Sequence, residues 1–361
     1  MNNQPQLQAN LVSMPPRGVR TIAADSRRVQ RISALDFTKG ALVLIMVLYH
    51  WINYFIGPQW GYYQYLRFLT PSFIFITGFM ISNVYLSKYA AADPRLAKRL
   101  FTRGLKLIAI FAALNLSRIA IIPLLGTGTV ARNQFEPGTV FAVFVSGNLP
   151  VTGPKLVAFS ILVPISYLLM FSGILVLPYR TYRHTFHAVC IVLLLLILGL
   201  WMNGAGSYNL EFVTIGMLGV LTGFVPIETI NDLVRRPLAL AVGYLCYLAG
   251  VAAWHVPFPL LVVGVLLSLM AIYLGGVVGG EYGIARREVA LLGKYSLLGY
   301  ISQIAILQIL SAGFRRVDLG VATLGLLFTA AFALTVLSVE VVNRARAKSA
   351  AADKLYRAVF A

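Results

Sequence analysis

The feature that most constrains this chain is a succession of long apolar runs joined by short links. Ten runs, at about 33–56, 68–88, 105–125, 156–178, 187–203, 210–227, 238–254, 258–278, 295–313 and 320–342, approach the ~20 residues that a membrane-crossing helix requires. Composition agrees. Of 361 residues, 59% are hydrophobic and only 12% charged, about half the charged share of an ordinary soluble domain. The expected fold is therefore all-α, a polytopic membrane bundle of about ten helices.

The charge pattern sets its orientation. With the first link on the inside, the inner links collect nearly all the lysines and arginines. The outer ones hold only Arg67, Arg132, Lys155, Arg315 and Arg316. That asymmetry places both termini in the cytoplasm. It also accounts for the formal net charge of +18, which in a soluble protein would suggest nucleic acid; here the expected partner of the surface is the lipid bilayer. Residues 1–31, rich in Gln, Asn, Pro and Arg, read as a disordered basic tail. The run that follows is too long for a signal peptide and lacks a small-residue cleavage site. Residues 32–343 form the membrane domain and 344–361 a cytoplasmic tail. The run TVFAVFV (139–145) is too short to cross, so 126–155 is expected as an outer loop that dips toward the membrane. Cys190 and Cys246 lie in apolar runs and form no disulfide framework or metal spacing; no His/Cys set with zinc-site spacing exists, and no metal is expected.

The first run, LDFTKGALVLIMVLYHW (35–51), is unusual because it carries Asp36, Lys39 and His50. Eleven residues at 100° each bring Lys39 and His50 to within ~20° of one face, roughly 16 Å apart along the axis. Asp36 precedes Lys39 by one turn and Tyr54 follows His50 by one turn, so all four share a stripe. Ionisable groups inside a span are costly and line a cavity, a pathway or a site. Asp36 and Lys39 stand near the inner end, where they either pair with each other or snorkel. His50 stands toward the outer end. Among four histidines it is the best placed for proton transfer, since imidazole takes and returns a proton near neutral pH. His184 and His187 fall in an inner link and His255 in a short outer turn.

Three further signals stand nearby. Thr77-Gly78-Phe79 lies in the second run, where small residues allow close helix approach. Arg99, Arg103 and Lys106 at i, i+4 and i+7 form a basic face at the start of the third run; the face is either an ordinary inner basic link or a phosphate-binding surface. Arg118, near the outer end of that run, needs an anionic or carbonyl partner; Asp36, Glu136 and Glu211 are the candidates.

These motifs together resemble the membrane acyltransferase superfamily, which includes the acyltransferase-3 family, glucan succinyltransferases and heparan-α-glucosaminide N-acetyltransferases. The family opening, Leu-Asp-x-x-[Arg/Lys]-Gly followed by a histidine, is matched by Leu35, Asp36, Lys39, Gly40 and His50. The next element, ending in [Ser/Thr]-Gly-Phe, is matched by Thr77, Gly78 and Phe79, and an Arg-x-x-Arg element by Arg103 and Lys106. The segment LLGKYSLLGYISQIAI (291–306) is similar to the family's Leu-Gly-x-x-Ser-x-x-x-Tyr-x-x-His, with Gln303 where many members have histidine. The match covers about 31–120 and 290–310. His50 favours the acyltransferase-3 style of site over the heparan type.

The resemblance implies an enzyme of the bacterial cytoplasmic (inner) membrane. Such an enzyme moves an acyl group, acetyl by preference, from cytoplasmic acyl-CoA to a hydroxyl, less readily an amine, of an extracytoplasmic glycan or lipid-linked sugar. On that expectation Arg99, Arg103, Lys106 and Lys39 meet the CoA phosphates, Asp36 positions Lys39, and His50 acts as general base or transient acyl carrier. The alternative reading is a multi-span transporter or flippase of a sugar-containing solute. That class usually shows paired repeats with broken helices, which this sequence does not display.

Overall fold

A helix that crosses lipid must satisfy every backbone N–H and C=O within itself. The computed structural model follows that demand. It describes residues 33–57, 60–88, 94–121, 137–148, 158–254, 256–278, 284–314 and 320–360, all in one unit and, among these residues, helical without strands. The 1–31 tail, Glu136, His255 and most of the 126–155 loop lie outside the described residues.

In chain order the helices are α1 (Ser33–Trp51), α2 (Trp60–Leu66), α3 (Leu69–Met80), α4 (Pro94–Ile121), α5 (Pro137–Phe141), α6 (Leu162–Tyr179), α7 (Thr185–Met202), α8 (Tyr208–Thr222), α9 (Ile227–Val234), α10 (Pro237–Trp254), α11 (Phe258–Val278), α12 (Ile284–Lys294), α13 (Ser296–Gly313), α14 (Val321–Lys348) and α15 (Ala350–Phe360). Short π-helical turns extend α1 through Ile56 and α3 through Leu86. Among the described residues nine segments are long and apolar enough to cross a membrane. The tenth expected span, at about 210–227, is not one straight helix: α8 bends by 103° into α9, the geometry of a broken span or a re-entrant pair, which corrects the sequence expectation that no broken helix is present. The break follows Gly223 and Pro226, and Pro226 cannot continue a helix that precedes it.

Several boundaries differ from the sequence expectation. The third crossing begins at Pro94 instead of near 105, because polar residues up to Lys98 still fit an amphipathic helix. Residues 284–294, read as a basic inner link, form the separate helix α12. The stretch 344–361 completes α14 and folds into α15. The short run 139–145 is the end of α5 and a π turn, tucked against the bundle with Val143 buried. Three side chains cap its free carbonyls: Asn209 donates to Val143 at 2.8 Å, Tyr167 to Phe144 at 2.8 Å and Ser207 to Val145 at 3.2 Å.

α1 is the hub of the bundle, packed against α3, α11, α12, α13 and α14. Lipid tails are as apolar as leucine, so tight helix pairing in a membrane depends on small residues that let backbones meet. Gly40 of α1 and Gly293 of α12 supply such a meeting. A methyl group on Gly40 would fall on the carbonyl of Val289, and one on Gly293 on the carbonyl of Asp36.

α15 closes the inner end of α12 and α13. Arg346 donates to Asp353 at 2.9 and 2.6 Å and to the Tyr295 hydroxyl at 2.9 Å. Its guanidinium lies 4.0 Å from the centre of the Tyr356 ring. Arg357 pairs with the other Asp353 oxygen at 2.6 Å. The hydrogen bond from Arg346, helped by Arg357, holds the Asp353 carboxyl below the usual carboxylate range. A carboxylate with a depressed folded-state pKa contributes stability above its unfolded value and loses it as pH falls through the folded one. The latch is therefore complete at neutral pH, starts to weaken only as pH falls below about 4, the ordinary carboxylate value, and is lost as pH falls through the lower folded-state value. Asp353→Asn should imitate the acid state at neutral pH. Trypsin should then cut at Lys354 and Arg357 several-fold faster than in the wild type, with the membrane core still intact.

Candidate functional site

The stripe read from the sequence is present on α1, and its surroundings divide it into an inner and an outer part. At the inner end Asp36 and Lys39 form an ion pair at 2.7 Å. Asp36 is only 7% exposed. Two charges one turn apart are better paired than separately buried, since an unpaired ion in this medium costs several kcal/mol. Pairing, one of the two arrangements open from sequence, is thus the one found. Asp36 fixes the ammonium of Lys39 near the contact with α12.

Between the polar ends the stripe continues through Val43 and Val47, both fully buried. Val43 abuts Gly299 of α13, and Val47 shares a packed cluster with Leu307 and Ala331. The middle of the stripe is therefore packed against α13. Lys39, Met46 and His50 lie toward the edge of the stripe that borders α3, at i, i+7 and i+11.

The outer part is a cluster of polar side chains around His50, which is partly exposed. Its ring meets Tyr49 edge-on, with centroids 5.2 Å apart. Tyr49 in turn meets Tyr63 edge-on at 5.0 Å. Tyr54 is hydrogen-bonded to Gln308 and lies in the field of Arg118. Tyr300 lies close to both Tyr49 and Tyr54. Arg67 acts electrostatically on Tyr49, Glu211 and Tyr247, and donates to the Val256 carbonyl at 3.3 Å. An imidazole, five phenols, two guanidinium groups and a carboxylate thus act on one another in the outer half of an otherwise apolar bundle. Such a group can hold a polyhydroxylated molecule and exchange protons with it.

The third group is the basic face of α4. Arg99 is exposed, while Arg103 and Lys106 are partly buried. Arg103 lies over the Tyr85 ring at 5.6 Å and in the field of Tyr356 on α15. The face therefore opens beside the latched C-terminal helix. α4 holds this position because Gly104 receives the side chain of Met170 on α6, and Gly173 of α6 lies against Ala97 and Phe101.

The structure thus brings Arg118 into the field of Tyr54, one turn beyond His50, pairs Asp36 with Lys39, and leaves Arg99, Arg103 and Lys106 as a separate inner face. Thr77 spends its hydroxyl on the Phe73 carbonyl of its own helix at 2.8 Å. The adjacent Gly78 serves close contact with Gly216 of α8. The described contacts of this segment are thus a hydrogen bond within its own helix and backbone packing. Of the partners considered for Arg118, Asp36 is committed to Lys39 at the other end of α1 and Glu211 answers to Arg67; Arg118 faces Tyr54. Gln303 is fully buried in α13. Sequence reasoning missed Tyr49, Tyr63, Arg67 and Gln308. The signal for Arg67 was its isolation, as an outer arginine at the very edge of the second apolar run. No family model, curated protein or solved structure matches the chain.

Proposed function

We propose that the protein is an integral-membrane acyltransferase, which takes an acyl group, acetyl by preference, from cytoplasmic acyl-CoA. It passes the group to a hydroxyl of a glycan or lipid-linked sugar on the other side of what is, on this reading, a bacterial inner membrane. The observation that carries the reading is the division of labour along α1. A cation, paired and fixed, stands at the inner end of one helix edge, and a histidine amid phenols and arginines stands roughly 16 Å further out on the same edge.

In this reading Arg103 and Lys106, with Arg99 at the rim, receive the CoA phosphates, and Lys39 stands deeper in. His50 accepts the proton of the acceptor hydroxyl as its oxygen attacks the thioester carbonyl. The C–O bond forms, the C–S bond breaks, and the imidazolium returns the proton to the departing thiolate. Arg67, Glu211 and Tyr63 would meet the sugar from the outer side in this reading. Gathering the acceptor and the base in one place supplies the orientation that such a step requires.

The reading is tested by binding of acetyl-CoA to the detergent-purified protein. Saturable binding is expected. Arg103→Glu combined with Lys106→Glu should weaken it by ~100-fold, since two charge-assisted contacts are replaced by repulsion. The loss should shrink in high salt. A well-folded wild type that binds no acyl-CoA would remove this reading, and movement of a sugar solute without covalent change would instead make the protein a transporter.

A further inference from the structure

Gln303 has no exposed surface, and neither its amide oxygen nor its amide nitrogen has a hydrogen-bond partner among the described residues. Buried polar groups are almost always paired, because an unpaired one keeps the full cost of leaving water. An apolar side chain of the same size would serve α13 better if packing were the whole role of this position.

Its place in the bundle is specific. Gly299, Gln303 and Leu307 stand at i, i+4 and i+8, so they share one face of α13. Gly299 abuts Val43 and Leu307 packs with Val47, which turns that face toward the α1 stripe. The two helices run in the same direction. The pairs Val43–Gly299 and Tyr54–Gln308 bracket Gln303, and its height follows by interpolation between them. Gln303 therefore stands level with the residues just before His50. Along the axis it is about 3 Å inward of His50 and about 13 Å outward of Lys39.

The unpaired atoms are one donor and one acceptor. A phosphate or an oxyanion would satisfy only the donor. A secondary amide satisfies both, offering a carbonyl to the nitrogen and an N–H to the oxygen. The pantetheine arm of acyl-CoA carries such amides, and the nearer one is joined to the thioester sulfur by two methylene groups. With the thioester beside His50, that amide falls at the height of Gln303. We infer that Gln303 holds the amide of the donor's pantetheine arm nearest the thioester and so fixes the thioester beside His50. The inference rests on the acyl-CoA reading above. Met46, 2% exposed, lies on the same edge one turn before His50. Its unbranched, adaptable side chain moves aside at small cost when the arm enters.

The test uses the full-length purified protein, wild type beside Gln303→Leu and Gln303→Met. Each is measured for affinity toward acetyl-CoA, for affinity toward 3′,5′-adenosine bisphosphate, which lacks the arm, and for thermal unfolding without ligand. In both variants acetyl-CoA affinity should fall about tenfold. Bisphosphate affinity should stay within about twofold, and the unfolding temperature should hold or rise. Unchanged acetyl-CoA affinity in both variants would overturn the inference while leaving the acyl-CoA reading in place. A lower unfolding temperature with equal loss for both ligands would also overturn it, showing Gln303 to be structural. A wild type that binds neither ligand would remove the acyl-CoA reading and this inference with it.

Discussion

Gly293→Ala should leave little correctly assembled protein. A methyl group at this position meets the carbonyl carbon and oxygen of Asp36 and the backbone nitrogen of Gly40. A flexible side chain in the way would rotate aside, but backbone cannot. α12 must therefore separate from α1, and overpacking of this kind costs roughly 3 kcal/mol or more where backbone has to shift. The separation also pulls on the helical turn that carries Asp36 and Lys39, so the ion pair at 2.7 Å is disturbed with it. The measurement is the yield of monodisperse protein in detergent and its thermal unfolding. Gly325→Ala is the control. Gly325 lies within α14 and a methyl group there meets nothing, so that variant should equal or exceed the wild type, by up to ~1 kcal/mol of helix propensity. Equal stability of the two variants would show that the α1–α12 backbones have room for a methyl group between them.

His50→Ala should abolish acyl transfer while leaving the fold and donor affinity close to normal. Removal of a general base costs ~10²–10⁴ in rate. The fold should survive because His50 is partly exposed and its ring packs edge-on against Tyr49 at the open end of the stripe. Donor affinity should survive because the basic face of α4 belongs to the opposite end of the bundle from His50. Transfer is followed with radiolabelled acetyl-CoA in membranes, and affinity with the purified protein. A variant that inserts normally and transfers at the wild-type rate would end the role assigned to His50. A variant that also loses acetyl-CoA binding would place His50 in the donor site itself.

Much of this site is legible in the amino-acid order. A polar stripe on an apolar helix follows from the 3.6-residue period alone, and Asp36, Lys39 and His50 lie where that period puts them, whereas Tyr54 falls in the π-helical turn beyond α1. The basic face of α4 follows the same rule. The partners of these residues are not legible in that way. Arg67 and Tyr63 reach the His50 neighbourhood from the start of the second crossing, and Gln308 reaches Tyr54 from α13, more than 200 residues away in sequence. α12 reads as a basic link because Arg286, Arg287, Glu288 and Lys294 dominate its composition. Its packing face depends on Gly293, and a glycine reveals its purpose only through what it touches.

Residue order alone dictates a helical membrane bundle, the direction in which it runs, and which edge of the first helix is polar. These properties depend on transfer of each residue between water and lipid, and that is a local quantity. Tertiary packing was needed to establish which helices enclose that edge, that Asp36 belongs to Lys39 and Arg118 to the neighbourhood of Tyr54, and that Gln303 stands buried without a partner among the described residues. In lipid no hydrophobic force selects one helix neighbour over another. Selection falls to close backbone fit and to polar pairing, both of which join residues far apart in the chain.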